Sequence, residues 1–355
     1  MVVAVFIRQL SLGGAEKQSL LLTRELRKRF PAFLVVWTKK IVAPEYQRLI
    51  NEEKLPVVFL SGSLIGRFIQ LFKLMRSEKV THLFNFLLIN NFAGGLAGRL
   101  AGVKQIYGGI RNCDIVPSKF RWQKFLHNFV SHRTIFNNHE GAEKLALRGF
   151  KKDKMLVIHN GIDVDGIVQK EDGNAKPTIL TASRFLPQKD HYTALLTIKE
   201  LARRGMDFRY VLAGYGAQEE EIRQWIKALD IQEHVELLIA PDNLSEIFHK
   251  ASVYLSTSLR EGLSNSLMEA LAAELPVVAT NVGDNKYLVE EGQNGYLTNV
   301  GDVKAIADAL DRLLDDEKLR LKMGHYGYEK LKAGFSTRSF LNHYLSLLED
   351  QTRNP

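Results

Sequence analysis

The sequence predicts an α/β protein made of two doubly wound, Rossmann-like domains in tandem. Three observations carry this. The chain has 355 residues, enough for two domains of about 150 to 180 residues each. Short apolar runs alternate with amphipathic stretches almost throughout, the rhythm of parallel strands joined by crossover helices. The rhythm stops once, after Asn160-Gly161, and then resumes.

In the first half, strands are expected at 2–7, 33–37, 57–60, 82–84, 105–107, 133–136 and 155–158, each an apolar run short enough to cross a sheet. Helical periodicity fills the gaps at 15–29, 65–77, 91–100, 121–130 and 140–147. Residues 163–176 are polar, hold Gly166 and Gly173 and show no period, so they read as the linker. Strands then recur at 178–183, 208–213, 235–238, 253–256, 277–279 and 295–298, with helices at 191–203, 217–229, 244–249 and 265–272. From Asp302 the chain reads as helical nearly to its end, Leu310, Leu313 and Leu314 marking a buried stripe, and 337–348 is amphipathic.

Composition narrows the class. Apolar residues at 45% and charged residues at 25% exclude a disordered or low-complexity chain. One cysteine, Cys113, excludes a disulfide framework and a cysteine-based zinc site. No run reaches 18 apolar residues, and the N-terminal MVVAVFIRQL reads as a buried strand, so a cytoplasmic protein is expected. The net charge of +8 is unevenly spread. Residues 1–165 hold 26 Lys/Arg against 12 Asp/Glu, a net +14; residues 166–355 hold 22 against 28, a net −6. The first half is therefore the one expected to meet an anionic partner, nucleic acid, a membrane surface or a phosphorylated substrate; a solvated basic surface with no partner is the competing reading.

Ligands of doubly wound sheets sit beyond the carboxyl ends of strands. Three loops there carry chemistry. Ser11-Leu12-Gly13-Gly14-Ala15-Glu16 combines two glycines with a helix start, which suits phosphate, although a plain turn has the same composition. Ser183-Arg184-Phe185-Leu186-Pro187-Gln188-Lys189-Asp190 brings two cations to a strand end, where they can neutralise a diphosphate, two solvated loop cations being the competing reading that spacing alone favours slightly. The run from Glu261 through Gly262, Leu263, Ser264, Asn265 and Ser266 to Glu269 sets two carboxylates eight positions apart. Carboxylates accept hydrogen bonds from vicinal hydroxyls, and the backbone N–H groups of residues 263–266 can bind anionic oxygens.

Taken in order, these motifs resemble those of the family 4 glycosyltransferases, retaining nucleotide-sugar enzymes of the GT-B fold, whose two domains face a central cleft. The resemblance covers nearly the whole chain. It adds Ile158-His159-Asn160-Gly161-Ile162-Asp163, Leu212-Ala213-Gly214-Tyr215-Gly216 and Leu275-Pro276-Val277-Val278-Ala279-Thr280 through Asn294-Gly295-Tyr296-Leu297. It implies that Arg184 and Lys189 hold the donor diphosphate, Glu269 the ribose and Glu261 the transferred sugar. It further implies that Gly13 and Gly14 close over the donor and that Gly214 and Gly216 let the nucleobase approach the backbone. Arg184, Lys189 and Glu261 are the residues expected to carry catalysis. The resemblance also implies a crossover helix at 337–348. The domains are then 1–165 plus about 336–355 for the acceptor and 166–335 for the donor, with crossings near 165–176 and Gly334.

The implied reaction moves a hexosyl group from a nucleoside diphosphate sugar, a UDP-sugar, to a hydroxyl of a lipid-linked or growing surface glycan, without cofactor or metal. Many family members place a histidine late in the first domain. Here that stretch reads Tyr107-Gly108-Gly109-Ile110-Arg111-Asn112-Cys113-Asp114. Arg111 and Asn112 are candidates for a donor or acceptor contact, and a structural loop arginine is the competing reading. His82 reads as core. Asp163-Val164-Asp165 spells a metal-binding Asp-x-Asp, but it stands at the domain boundary and no metal is expected there.

Two alternatives compete: a nucleotide-sugar epimerase of the same fold, and a nucleic-acid-binding protein using the basic half. No nucleic-acid motif accompanies the charge. Arg67, Lys73 and Arg76 interleave with Phe68, Leu71, Phe72 and Leu74, which suits an interfacial helix on an anionic membrane. The competing reading turns Phe68 and Phe72 to the core.

Overall fold

A computed structural model describes residues 1–11, 13–111, 115–164 and 176–349. The chain divides into two compact units, Met1–Gly161 with Thr337–Pro355, and Ile162–Ser336.

Among its described residues the first unit holds seven strands: β1 (Val3–Ile7), β2 (Ala32–Val36), β3 (Val57–Phe59), β4 (His82–Asn85), β5 (Gln105–Ile110), β6 (Arg133–Phe136) and β7 (Met155–Val157). They form one sheet in the order β3-β2-β1-β4-β5-β6-β7, every neighbour parallel. Side chains alternate across a strand, and β1 shows the result. Val3, Val5 and Ile7 enter one core with Leu20 and Leu22, while Ala4 and Phe6 enter the opposite core with Leu71, Met75 and Ala97. A sheet covered on both faces needs strands that are apolar throughout, and all five residues of β1 are buried. The C-terminal helix Thr337–Glu349 returns to this unit and buries Phe340, Leu341, Tyr344, Leu345 and Leu348 in the first of those cores.

The second unit holds β8 (Thr178–Arg184), β9 (Arg209–Tyr215), β10 (Val235–Ile239), β11 (Val253–Ser256), β12 (Val277–Thr280) and β13 (Gly295–Thr298). The order is β10-β9-β8-β11-β12-β13, again all parallel. Leu310, Leu313 and Leu314 are buried here, as their spacing predicts.

Several boundaries differ from the sequence reading. The units divide after Gly161 rather than after residue 165, because Ile162 and Val164 pack in the second unit's core. The second crossing is at Ser336 rather than near Gly334, which lies inside the helix Glu317–Phe335. There the Ile162 N–H donates to the Phe335 carbonyl at 2.9 Å and Ile162 bridges Ser336, so the two crossing segments run side by side. Among the described residues the helical tail is three helices, Val303–Asp315, Glu317–Phe335 and Thr337–Glu349. Asp316 makes the first break: its backbone is extended and its carboxylate accepts from the Leu319 N–H at 2.9 Å. The helix expected at 121–130 begins at Pro117 and ends as a π-turn over Leu126–Val130. The linker expected at 163–176 lies largely outside the described residues. No helix among the described residues is long and apolar enough to cross a membrane.

Candidate functional site

The strand order of the second unit reverses between β8 and β11, which opens a crevice at their carboxyl ends. Arg184 is the last residue of β8 and its side chain is exposed. A single 3-10 turn, Pro187–Lys189, then leads to Asp190, whose left-handed φ of 48° ends the turn. The Asp190 carboxylate caps the helix His191–Arg203 by accepting from the Thr193 N–H at 3.3 Å and the Thr193 hydroxyl at 2.6 Å.

The segment after β11 is tied to this loop. The Thr257 hydroxyl lies 2.9 Å from the Asp190 carbonyl and 3.1 Å from that of Lys189, and the Leu259 N–H donates to the Gln188 carbonyl at 2.8 Å. Between the two loops the Lys189 ammonium donates to the Glu261 carboxylate, with both side chains nearly buried at 12% and 10% exposure. The Ser258 hydroxyl donates to the same Glu261 oxygen at 2.7 Å.

Beyond Glu261 the helix Asn265–Ala272 begins. Ser264 caps it, accepting from the Leu267 N–H at 3.4 Å. The first N–H groups of a helix have no intrahelical partner and its dipole is positive at that end, so this N-terminus favours an anion. Leu267, Met268, Ala270 and Leu271 are buried, and Leu263 anchors the approach. Asn265, Ser266 and Glu269 are left together on the partly exposed face, at helical spacings of three and four.

Residues to which the sequence gives no site role complete this region. Gly283, with φ at +58°, lies under the Glu261–Gly262 loop, where an added Cβ would come 2.4 Å from the Glu261 carbonyl oxygen. The Asp284 N–H donates to the Gly262 carbonyl at 2.9 Å, and the Thr280 hydroxyl to the Ser258 carbonyl at 2.6 Å. His191 holds the other side. Its Nε2 lies 3.2 Å from the Arg184 carbonyl, an acceptor only, so Nε2 carries the proton. Its Nδ1 is buried without a partner, and burial holds the imidazole down at about 4. Gly214 and Gly216 are required by packing: a Cβ on Gly214 would lie 1.9 Å from the Ser183 carbonyl oxygen, and one on Gly216 would lie 2.4 Å from that of Phe185. The signal for these partners is the strand order, which residue spacing does not reveal.

In the first unit, Gly13 caps the helix Gly14–Leu26 in extended backbone. Glu16 is buried beside it and accepts from the Ser11 hydroxyl at 3.0 Å. A carboxylate thus already occupies this helix start, where the dipole favours negative charge. Arg111 is engaged within its own unit. Its guanidinium donates to Asn160 Oδ1 at 2.5 Å, lies 3.5 Å from the Tyr344 hydroxyl and stands 4.7 Å over the Phe86 ring. Asn112, Cys113 and Asp165 lie outside the described residues, and Asp163 is exposed. His82 is buried in β4, as expected of a core residue.

The helix Leu64–Ser77 departs from the interfacial reading. Leu71 is fully buried and Phe68, Phe72 and Leu74 pack against the same core. The exposed apolar residues are instead Leu64, Ile65 and Ile69.

Two parallel-sheet units of this topology have the architecture of the GT-B fold. Residues 167–330 match the family described as Glycosyl transferases group 1. The N-acetyl-alpha-D-glucosaminyl L-malate synthase of Bacillus anthracis is 31% identical over 304 residues, spanning 83% of this chain and 72% of that protein. A Campylobacter jejuni N-acetylgalactosamine-N,N'-diacetylbacillosaminyl-diphospho-undecaprenol 4-alpha-N-acetylgalactosaminyltransferase is 28% identical over 339 residues, 89% of this chain and 91% of its own. Among solved structures, Anabaena HepE in complex with UDP superposes with a TM-score of 0.86 at 16% identity, covering 99% of this chain and all of that one, a likeness of fold. The chain belongs to the group 1 glycosyltransferases. It is an enzyme that transfers a glycosyl group.

Proposed function

We propose that the enzyme moves a hexosyl residue from a UDP-sugar to a hydroxyl of a lipid-linked or growing surface glycan, with retention of anomeric configuration. One observation carries this reading: Arg184, Lys189, Glu261, Glu269 and the N-terminus of the helix Asn265–Ala272 stand at or beside the crevice where β8 and β11 end. The diphospho-undecaprenol named for the Campylobacter jejuni relative supports the acceptor, and the UDP bound by the Anabaena protein supports the base.

In this mechanism the bond between the anomeric carbon and the diphosphate oxygen breaks with its electrons moving to the diphosphate. Arg184, Lys189 and the N-terminus of the helix Asn265–Ala272 stabilise the charge that grows there, and they do so without a metal. The acceptor oxygen bonds to the anomeric carbon on the same face, and its proton passes to the departing diphosphate. No protein nucleophile takes part. Glu269 accepts from the ribose hydroxyls and Glu261 from those of the sugar. The epimerase and nucleic-acid alternatives gain nothing from the family match.

Melting the protein with UDP, GDP and ADP and their sugars in chelator tests the reading. At a hundredfold over its dissociation constant a ligand adds about 2.7 kcal/mol of apparent stability. UDP is expected to raise the melting temperature most; stabilisation by GDP or ADP alone would replace the assigned base.

A further inference from the structure

Three neighbouring helices of the first unit, Leu64–Ser77, Leu88–Ala101 and Pro117–Phe125 with its π-turn, leave large apolar side chains in solvent. On Leu88–Ala101 these are Ile89, Phe92, Leu96 and Leu100, a single stripe at helical spacing. On Pro117–Phe125 and its continuation they are Trp122, 61% exposed, Phe125 and Phe129. Leu64 and Ile65 add to them, Ile65 at 75% exposure. Phe92 meets Trp122 edge-on at 6.3 Å. Scattered apolar residues on a surface are ordinary, whereas a contiguous face of this kind marks an interaction site.

Between the helices the face opens into an apolar cavity of about 600 Å³, with Trp37, Ile65, Phe68, Phe92 and Trp122 among its walls. Lys119 is the one charged residue among the described residues that line it. The charge around the face is one-sided. None of the three helices carries an Asp or Glu, and residues 64–133 hold 11 Lys/Arg against 2 Asp/Glu. Lys73, Arg76, Lys119 and Arg121 are exposed. Apolar and aromatic side chains within an acid-free basic field match an anionic bilayer surface.

We propose that this three-helix face seats the enzyme on an anionic bilayer and that its cavity takes in one hydrocarbon chain of a bilayer lipid, with Lys119 meeting the phosphate of the headgroup. The surface differs from the one that residue spacing suggests, because the Phe68 and Phe72 side of the helix Leu64–Ser77 packs inward. The inference gives the membrane-borne acceptor proposed above its docking site, and its test uses no sugar.

The three tryptophans, Trp37, Trp122 and Trp225, make the test direct. Trp37 is nearly buried at the cavity wall and Trp122 is on the exposed face. Phosphatidylglycerol vesicles with bromine near the acyl-chain ends quench only a tryptophan that reaches the chains. In the W122F/W225F protein, the emission of Trp37 is expected to fall on these vesicles and to stay unchanged on phosphatidylcholine. Arg121→Gln is expected to weaken binding about fivefold, the share of one basic residue near the surface. Ile89→Glu is expected to abolish binding while a cooperative thermal melt close to the parent's shows that the fold is kept. If vesicles bind and Trp37 stays bright, the cavity takes no chain and that assignment falls. If vesicles do not bind at low salt, or if Ile89→Glu instead splits a dimer of the chain, the membrane face falls as a whole. Transfer to soluble acceptors alone, with vesicle binding intact, would remove the lipid-linked acceptor and leave this face standing.

Discussion

The Lys189 ammonium and the Glu261 carboxylate, 72 residues apart in sequence, form an ion pair where the loops after β8 and β11 meet. Each residue belongs to a different part of the proposed reaction, one to the diphosphate and the other to the sugar. Without ligand they neutralise each other. Breaking a pair this well buried leaves a charge without its partner, which costs about 3 kcal/mol. Lys189→Ala is therefore expected to lower both stability and turnover. Lys189→Ala with Glu261→Ala is expected to recover most of the stability and none of the turnover. Denaturant melts alongside a transfer assay separate the two effects; a double variant as unstable as the single one would deny the pairing.

The two glutamates are expected to fail differently. Hydrogen bonds to a charged acceptor are each worth about 1.5–3 kcal/mol, so Glu269→Ala is expected to weaken free UDP roughly tenfold or more. Glu261→Ala is expected to slow transfer and leave free-UDP affinity nearly intact. Calorimetric titration of both variants checks this: equal losses in both would deny the two separate roles, and the reverse pattern would exchange them.

These roles were only partly legible in the sequence. The helix Asn265–Ala272 was read to the residue, because Ser264 is a capping side chain followed by an apolar stripe that the backbone must bury. Strand positions were legible for the same reason: runs such as Val3–Ile7 have nowhere to go but a sheet covered on both faces. The Lys189–Glu261 pair was not legible, since it depends on β8 lying beside β11, and spacing does not encode strand order. The helix Pro44–Glu52 was missed because it buries only Tyr46 and Ile50, too few to set up a period. The helix Leu64–Ser77 was turned the wrong way because it is apolar on more than one side. Only the packing of Leu71 and Met75 fixes which side faces inward.

Arg111 joins the end of β5 to Asn160 and to the C-terminal helix through Tyr344. The buried Asn160 and Tyr344 would lose a partner in Arg111→Gln. A loss of about 2 kcal/mol in stability is expected, with Arg111→Lys giving little rescue because one ammonium cannot span both partners and the Phe86 ring. Urea unfolding measures it. Unchanged stability with lost transfer would point to a substrate contact instead.

His191 makes the Arg184 loop sensitive to acid. Its folded pKa is lowered to about 4 by burial, below the ordinary value of 6.5. Between those values the unfolded chain binds the proton and the folded one does not. Stability is therefore full above about pH 6.5 and falls as pH drops toward 4, by up to about 1.4 kcal/mol per pH unit from this group. His191→Gln, which keeps a donor for the Arg184 carbonyl, is expected to make the slope of stability between pH 6.5 and 4.5 shallower, with His82, also held at about 4 by burial, keeping part of it. A slope as steep as in the parent protein would assign the acid sensitivity to another group.

The donor site itself is tested most directly by the affinity of UDP for the R184A/K189A protein, titrated calorimetrically in excess chelator beside the parent chain. Both cations are proposed to hold the diphosphate without a metal. The parent is expected to bind UDP in chelator, and the double variant to bind it at least a hundredfold more weakly while remaining folded. Equal affinity in the two proteins, or binding by the parent only when magnesium or manganese is supplied, would contradict the assignment of the crevice between β8 and β11 as a metal-free diphosphate site.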